Sequence, residues 1–216
     1  MPTNFYSGGV FNLHDRRLYL CVGQRPDMAS FLPRVLRGGV DVVQLRDKVL
    51  DDDQLRATGT LMAAICRDFA VPFIMNDSPY LAADTGADGV HVGQDDVTVQ
   101  RCRDLLGPDA IVGLSTHDPD EFTRALDEPA TYRSAGPIVA TPTKPGRLGT
   151  GVAYAVACTQ RSDQPVFVTG GVDASNVASL VAAGLGHFVV VRAITDAADP
   201  YAAAVAIRHA IDEAMS

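Results

Sequence analysis

Gln44, Arg46 and Lys48 alternate along one short stretch, VVQLRDK. In an extended chain successive side chains point to opposite faces, so this spacing sets all three on the same face. An amide and two cations gathered there are costly to leave unpaired, and they call for an anionic partner. Asn76-Asp77 and Gln94-Asp95-Asp96 close two other apolar runs with hard carboxylate oxygens. Asp77 and Asp96 suit Mg2+, which takes one or two protein carboxylates and completes its shell with water and phosphate oxygens. Asp95 is the less favoured ligand. Cations beside a carboxylate pair therefore point to a diphosphate bound through Mg2+. Thr169-Gly-Gly171 offers a second phosphate site, because glycine lets backbone N–H groups approach phosphate oxygens closely. Two such sites imply two phosphorylated substrates, or one with phosphate at both ends.

The stretch 141–151, TPTKPGRLGTG, is poor material for a helix or a strand. A P-loop needs its lysine directly after the second glycine, and Lys144 precedes the glycines here, so that reading fails. Proline restrains the first half of the stretch and glycine frees the second. A lid that orders over bound substrates is expected, with proteolytic cleavage near Arg147 suppressed by ligand.

These groups need a scaffold that brings distant strand ends together. Short β-rich runs at 17–23, 40–46, 72–77, 89–94, 110–116, 131–139, 165–171 and 187–193 alternate with amphipathic segments such as 53–69, 97–106, 176–184 and 201–214. Apolar strands separated by helices imply a parallel sheet covered by helices. Eight units in 216 residues predict an α/β fold, a single (β/α)8 TIM barrel over 1–216, with 1–14 as an N-terminal extension. A doubly wound open sheet fits less well, since the first run ends CVGQRPD without a GxGxxG turn. In the barrel, active sites lie at the C-terminal ends of the strands. That is where Gln44, Arg46, Lys48, Asn76, Asp77, Asp96, Ser115, His117 and Arg192 fall.

A net charge of −8, with 26 acidic against 18 basic residues, argues against nucleic acid or an anionic membrane as partner. Four cysteines without a CxxC pair read as buried, reduced thiols. No run is long and apolar enough to span a bilayer, and no signal-peptide pattern opens the sequence. A cytoplasmic protein with small-molecule substrates is expected, with a homo-oligomer left open.

Seven segments carry a family resemblance: VQLRDK (43–48), FIMND (73–77), GADGVHVGQDD (86–96), GLSTHD (113–118), GPIVATPTK (136–144), TGGV (169–172) and VVVRAI (189–194). In this order they make the chain resemble thiamine-phosphate synthase, also called thiamine-phosphate pyrophosphorylase. The resemblance implies a Mg2+-assisted transferase. It would join 4-amino-2-methyl-5-hydroxymethylpyrimidine diphosphate to 4-methyl-5-(2-phosphoethyl)thiazole, giving thiamine phosphate and diphosphate. It further implies that Gln44, Arg46 and Asn76 line the pyrimidine-diphosphate pocket, and that Lys48, Lys144 and Ser115 join Arg46 around the diphosphate. Asp77 and Asp96 match metal ligands. Thr141, Thr143 and Gly171 match thiazole-phosphate contacts, with Val191 and Arg192 nearby. Arg46, Lys48 and Lys144 would do the catalytic work of stabilising the leaving group.

Ser78 departs from the arginine common in that family, and Arg192 from a common serine. Arg133 is a charge inside a predicted strand with no role assigned. His91 and His117 are expected as hydrogen-bonded structural residues, and Asp96 and Asp118 double as helix-cap candidates. Two other functions compete: a thiazole tautomerase of the same superfamily, and a non-catalytic sensor of phosphorylated ligands.

Overall fold

The computed structural model describes residues 11–141 and 148–216. Thr143 and Lys144, with most of the expected lid, lie outside the described residues. Eight parallel strands close into a barrel in sequence order: β1 (Leu18–Val22), β2 (Val42–Leu45), β3 (Phe73–Asn76), β4 (Gly89–Val92), β5 (Ile111–Thr116), β6 (Tyr132–Ala135), β7 (Val166–Thr169) and β8 (Phe188–Val190). β1 pairs with both β2 and β8, which seals the ring. The helices are α1 (Met28–Arg37), α2 (Asp52–Asp68), α3 (Pro79–Thr85), α4 (Val99–Leu106), α5 (Pro119–Ala125), α6 (Val152–Arg161), α7 (Val177–Ala182), α8 (Arg192–Thr195) and α9 (Pro200–Met215).

All eight expected strands form; β5 ends at Thr116, where its run ends, and the other seven stop earlier than the apolar runs. β7 ends at Thr169 because Gly170 turns to φ 97°, and β6 ends at Ala135 because Gly136 sits at φ 141°. β2 stops at Leu45, which corrects the expected extent of the strand, although Gln44, Arg46 and Lys48 do line one cavity. Only Gln44 is a strand residue, and the two cations belong to the following loop. Arg192 likewise opens α8 rather than ending β8.

The two-residue period of each strand divides the core in two. One set of side chains, including Leu20, Val43, Val90 and Phe188, packs outward under the helices. The other, with Tyr19, Val42, Ile74, Ile111, Tyr132 and Phe167, fills the barrel interior, and Leu13 joins it from a short 3-10 turn. Each large apolar side chain so buried stabilises the fold by roughly 1.5–3 kcal/mol.

Arg133 follows the same alternation. It lies between inward-facing Tyr132 and Ser134, so it points out beneath α5, where it is 3% exposed. Its guanidinium donates to the carbonyls of Ala125, Leu126 and Glu128, satisfying the open C-terminal end of that helix. The charge within a strand is a helix cap.

Candidate active site

The loops after β2, β3, β4, β5, β7 and β8 surround a cavity of about 530 Å3 at the C-terminal mouth of the barrel. Gln44, Arg46, Lys48, Asn76, Asp77, Asp95, Asp96, Ser115, Thr141, Gly171, Val191 and Arg192 all line it. These residues are spread over 149 positions of sequence, and barrel closure makes them neighbours.

Gln44 is 5% exposed, and its Nε2 has no hydrogen-bond partner among the described residues. A buried amide donor left unpaired costs about 1–3 kcal/mol. Asp47 holds the loop that carries Arg46 and Lys48: its Oδ1 accepts from the Val49 and Leu50 amides, and its Oδ2 from the Gln24 amide. The Asp51–Gln54 capping box then starts α2.

Lys48 forms an ion pair with Asp77. Asp77 adopts φ 63°, a conformation uncommon outside glycine, while its amide donates to the His91 carbonyl at 2.8 Å. Burial raises its pKa above the usual carboxylate range; Lys48 opposes that, and the nearby Asp96 charge adds to it. Asp96 gives one oxygen, Oδ2, to the Gly93 amide at 2.8 Å and does not cap α4, whose cap is Thr98. Asp118 does cap α5. Two adjacent carboxylates repelling one another beside a lysine fit the protein's share of a Mg2+ shell completed by phosphate oxygens. Among the described residues there is no cluster of three or more His, Cys, Asp or Glu side chains able to cage a metal alone.

Opposite these groups, Gly170 and Gly171 take φ 97° and 77° in succession. A Cβ on Gly170 would lie 2.4 Å from Pro137 Cβ, and one on Gly171 would lie 2.3 Å from Val139 Cγ2. Asn176 fixes this turn by donating to the Gly171 carbonyl at 2.6 Å. With no side chains at Gly170 and Gly171, which both line the cavity, an anion there can come close to the backbone N–H groups.

A family model described as thiamine monophosphate synthase matches residues 18–194. The chain belongs to that family. Within it, the chain is 45% identical over 198 residues to the thiamine-phosphate synthase of Thermus thermophilus, covering 89% of this chain and 95% of that relative. Identity to the thiamine-phosphate synthase of Mycobacterium tuberculosis is 41% over 217 residues, covering 94% and 97%. A solved thiamine phosphate pyrophosphorylase from Pyrococcus furiosus shares the fold, with a TM-score of 0.84 at 22% identity over 93% of this chain and 97% of that one.

Against the family pattern, Ser78 has a clear local task. Its Oγ accepts from the Leu81 amide at 3.2 Å and caps α3, with Pro79 at the first helical position. His117 bonds Glu121 through Nδ1 at 2.8 Å, and both ring nitrogens of His91 are hydrogen-bonded. The floor of the cavity holds residues that sequence reasoning missed: Tyr19, Cys21, Tyr132 and Ser134. Their signal was the spacing at 19/21 and 132/134, the two-residue period of inward-facing strand positions.

Proposed function

We propose that this chain is a thiamine-phosphate synthase that condenses the aminopyrimidine diphosphate with the thiazole phosphate. The observation that carries the reading is the content of one cavity: an unpartnered buried amide on Gln44, the cations Arg46 and Lys48, the Asp77–Asp96 pair, and the Gly170–Gly171 turn.

Gln44 and Asn76 would hold the pyrimidine, with the Gln44 amide donating to a ring nitrogen. Arg46, Lys48, Lys144 and Ser115 would grip its diphosphate. Asp77 and Asp96 would hold Mg2+, which when bound supplies positive charge against the departing diphosphate. Thr141, Thr143, Gly171, Val191 and Arg192 would seat the thiazole phosphate on the opposite side.

The electron-rich aminopyrimidine expels diphosphate to leave a stabilised methylene cation, and the thiazole nitrogen captures it. That nitrogen carries no proton to remove, so attack needs no general base. The protein's contribution is to stabilise the leaving group and hold the partners close. A thiazole tautomerase would have little use for the cation and carboxylate set, which disfavours that alternative.

Incubation with both substrates and Mg2+ should yield thiamine phosphate and diphosphate in equal amounts. Asp77→Ala should lower turnover by on the order of a hundredfold while the barrel stays folded. Binding of both ligands without product by folded, metal-loaded protein would leave the sensor reading in place of the synthase.

A further inference from the structure

In the cavity floor, side chains from four strands form a continuous hydrogen-bonded chain. Tyr19 and Tyr132 meet hydroxyl to hydroxyl at 2.9 Å, and Tyr132 meets His91 Nδ1 at 2.9 Å. His91 Nε2 lies 2.8 Å from Ser115 Oγ, which lines the cavity. Ser134 donates to the same Ser115 oxygen at 3.4 Å.

The strands are built around this chain. His91, Gly113 and Tyr132 occupy one register row across β4, β5 and β6. A Cβ on Gly113 would lie 2.1 Å from Tyr132 Cζ and 2.4 Å from His91 Nδ1. Glycine in the middle strand thus makes room for its two neighbours to stack, 5.5 Å between ring centroids, and bond above it.

The chain can run in two directions. Tyr19 is 2% exposed and has Tyr132 as its hydrogen-bond partner. Running outward, Tyr19 donates to Tyr132, Tyr132 to Nδ1, and Nε2–H to Ser115, so every buried donor is used. Running inward, Ser115 spends its proton on His91, and the Tyr19 proton has no acceptor in the chain, which is costly for a buried hydroxyl. A phenol is also a better donor than a serine hydroxyl, which again favours Tyr132 giving its proton to the imidazole.

We propose that His91 is a positioning residue, held by Tyr132 as the Nε2–H tautomer so that Ser115 accepts from below and turns its own proton into the cavity. Ser115 then donates to the diphosphate oxygens instead of facing them with lone pairs. The kinetic consequence rests on the synthase reading; the tautomer does not.

Long-range 1H–15N spectra of the full-length wild-type protein, with His91 assigned by its loss in His91→Gln, should show Nε2 protonated and Nδ1 bare. A protonated Nδ1 would overturn the proposal, whether or not the protein makes thiamine phosphate. In kinetics, Tyr132→Phe should lower kcat about tenfold with a smaller change in KM, the scale seen when a group supporting a ligand-contacting side chain is removed. In a Ser115→Ala background the same change should cost little more. Equal losses in both backgrounds would show that Tyr132 acts independently of Ser115 and would sink the relay.

Discussion

Gln44 and Asp77 stand near each other on the cavity wall, and each is held in a form that isolated residues avoid. Gln44 buries an amide donor without a partner, and Asp77 keeps a carboxylate at φ 63° in a half-buried setting. Such costs persist where the surrounding structure imposes them, and they cluster where a ligand removes them. Gln44→Leu tests this directly, since it keeps much of the volume and deletes the orphan donor. The variant should melt at least as high as the wild type, gaining up to about 1–3 kcal/mol. Its specificity constant for the pyrimidine diphosphate should nonetheless fall by tenfold or more. Paired thermal melts and steady-state kinetics check both signs, and a lower melting temperature with intact kinetics would mean that Gln44 is a packing residue.

At the scale of elements, the site depends on where each strand stops and its helix begins. Ser78 is informative because the loop after β3 must end one residue after Asp77 and turn straight into α3. Its hydroxyl satisfies an amide at the start of that helix, which an arginine in the same place would leave to other groups. Ser78→Ala should destabilise the protein by about 1 kcal/mol, read from denaturant midpoints at an unchanged slope. Ser78→Arg should lose the same cap and match the alanine variant, so a stability clearly above it would point to a compensating contact. The Asp51–Gln54 box plays the equivalent part after β2, ending the loop that presents Arg46 and Lys48.

For the molecule as a whole, the two ends of the barrel carry different burdens. The C-terminal mouth concentrates unsatisfied and charged groups, while the N-terminal end is closed by packing and by His187. That ring donates from Nδ1 to the Arg16 carbonyl at 2.6 Å, takes a bond from Arg17 at Nε2 at 3.2 Å, and lies 5.1 Å from the Phe167 ring. Burial pushes its pKa down from 6.5 to about 4. A base depressed in the folded state binds fewer protons there than in the unfolded chain. Its stabilisation is therefore intact above about pH 6.5 and drains away as pH falls toward 4. The loss amounts to roughly 3 kcal/mol at 1.36 kcal/mol for each pKa unit. The buried carboxylates of Asp41 and Asp88, raised chiefly by burial, act in the opposite sense, so the comparison must be between variants. His187→Phe should flatten the acid limb of melting temperature against pH relative to wild type between pH 7 and 4. Parallel curves would show that His187 does not titrate on unfolding.

Strand count, order and parallel sense were legible in the sequence, because eight apolar runs alternating with amphipathic segments leave few ways to bury both. The polar residues at the run ends were legible only as a set, since any one of them can be a helix cap, as Asp118 is, while so many at successive run ends point to one shared mouth. Strand ends were not legible: residues such as Arg46 continue the apolar run's alternation, but only backbone pairing decides where the ladder stops. Arg133 read as an anomaly until its outward direction and the carbonyls of α5 were known. The row of His91, Gly113 and Tyr132 was hidden as well, because a glycine in a strand reveals its purpose only when the side chains on both neighbouring strands are seen. The sequence by itself determined the barrel and the chemical types at its mouth, since hydrophobic period and side-chain chemistry are local properties. Only the tertiary structure decided which of those groups face one another and which are left unpaired, because register and closure join positions that the chain keeps far apart.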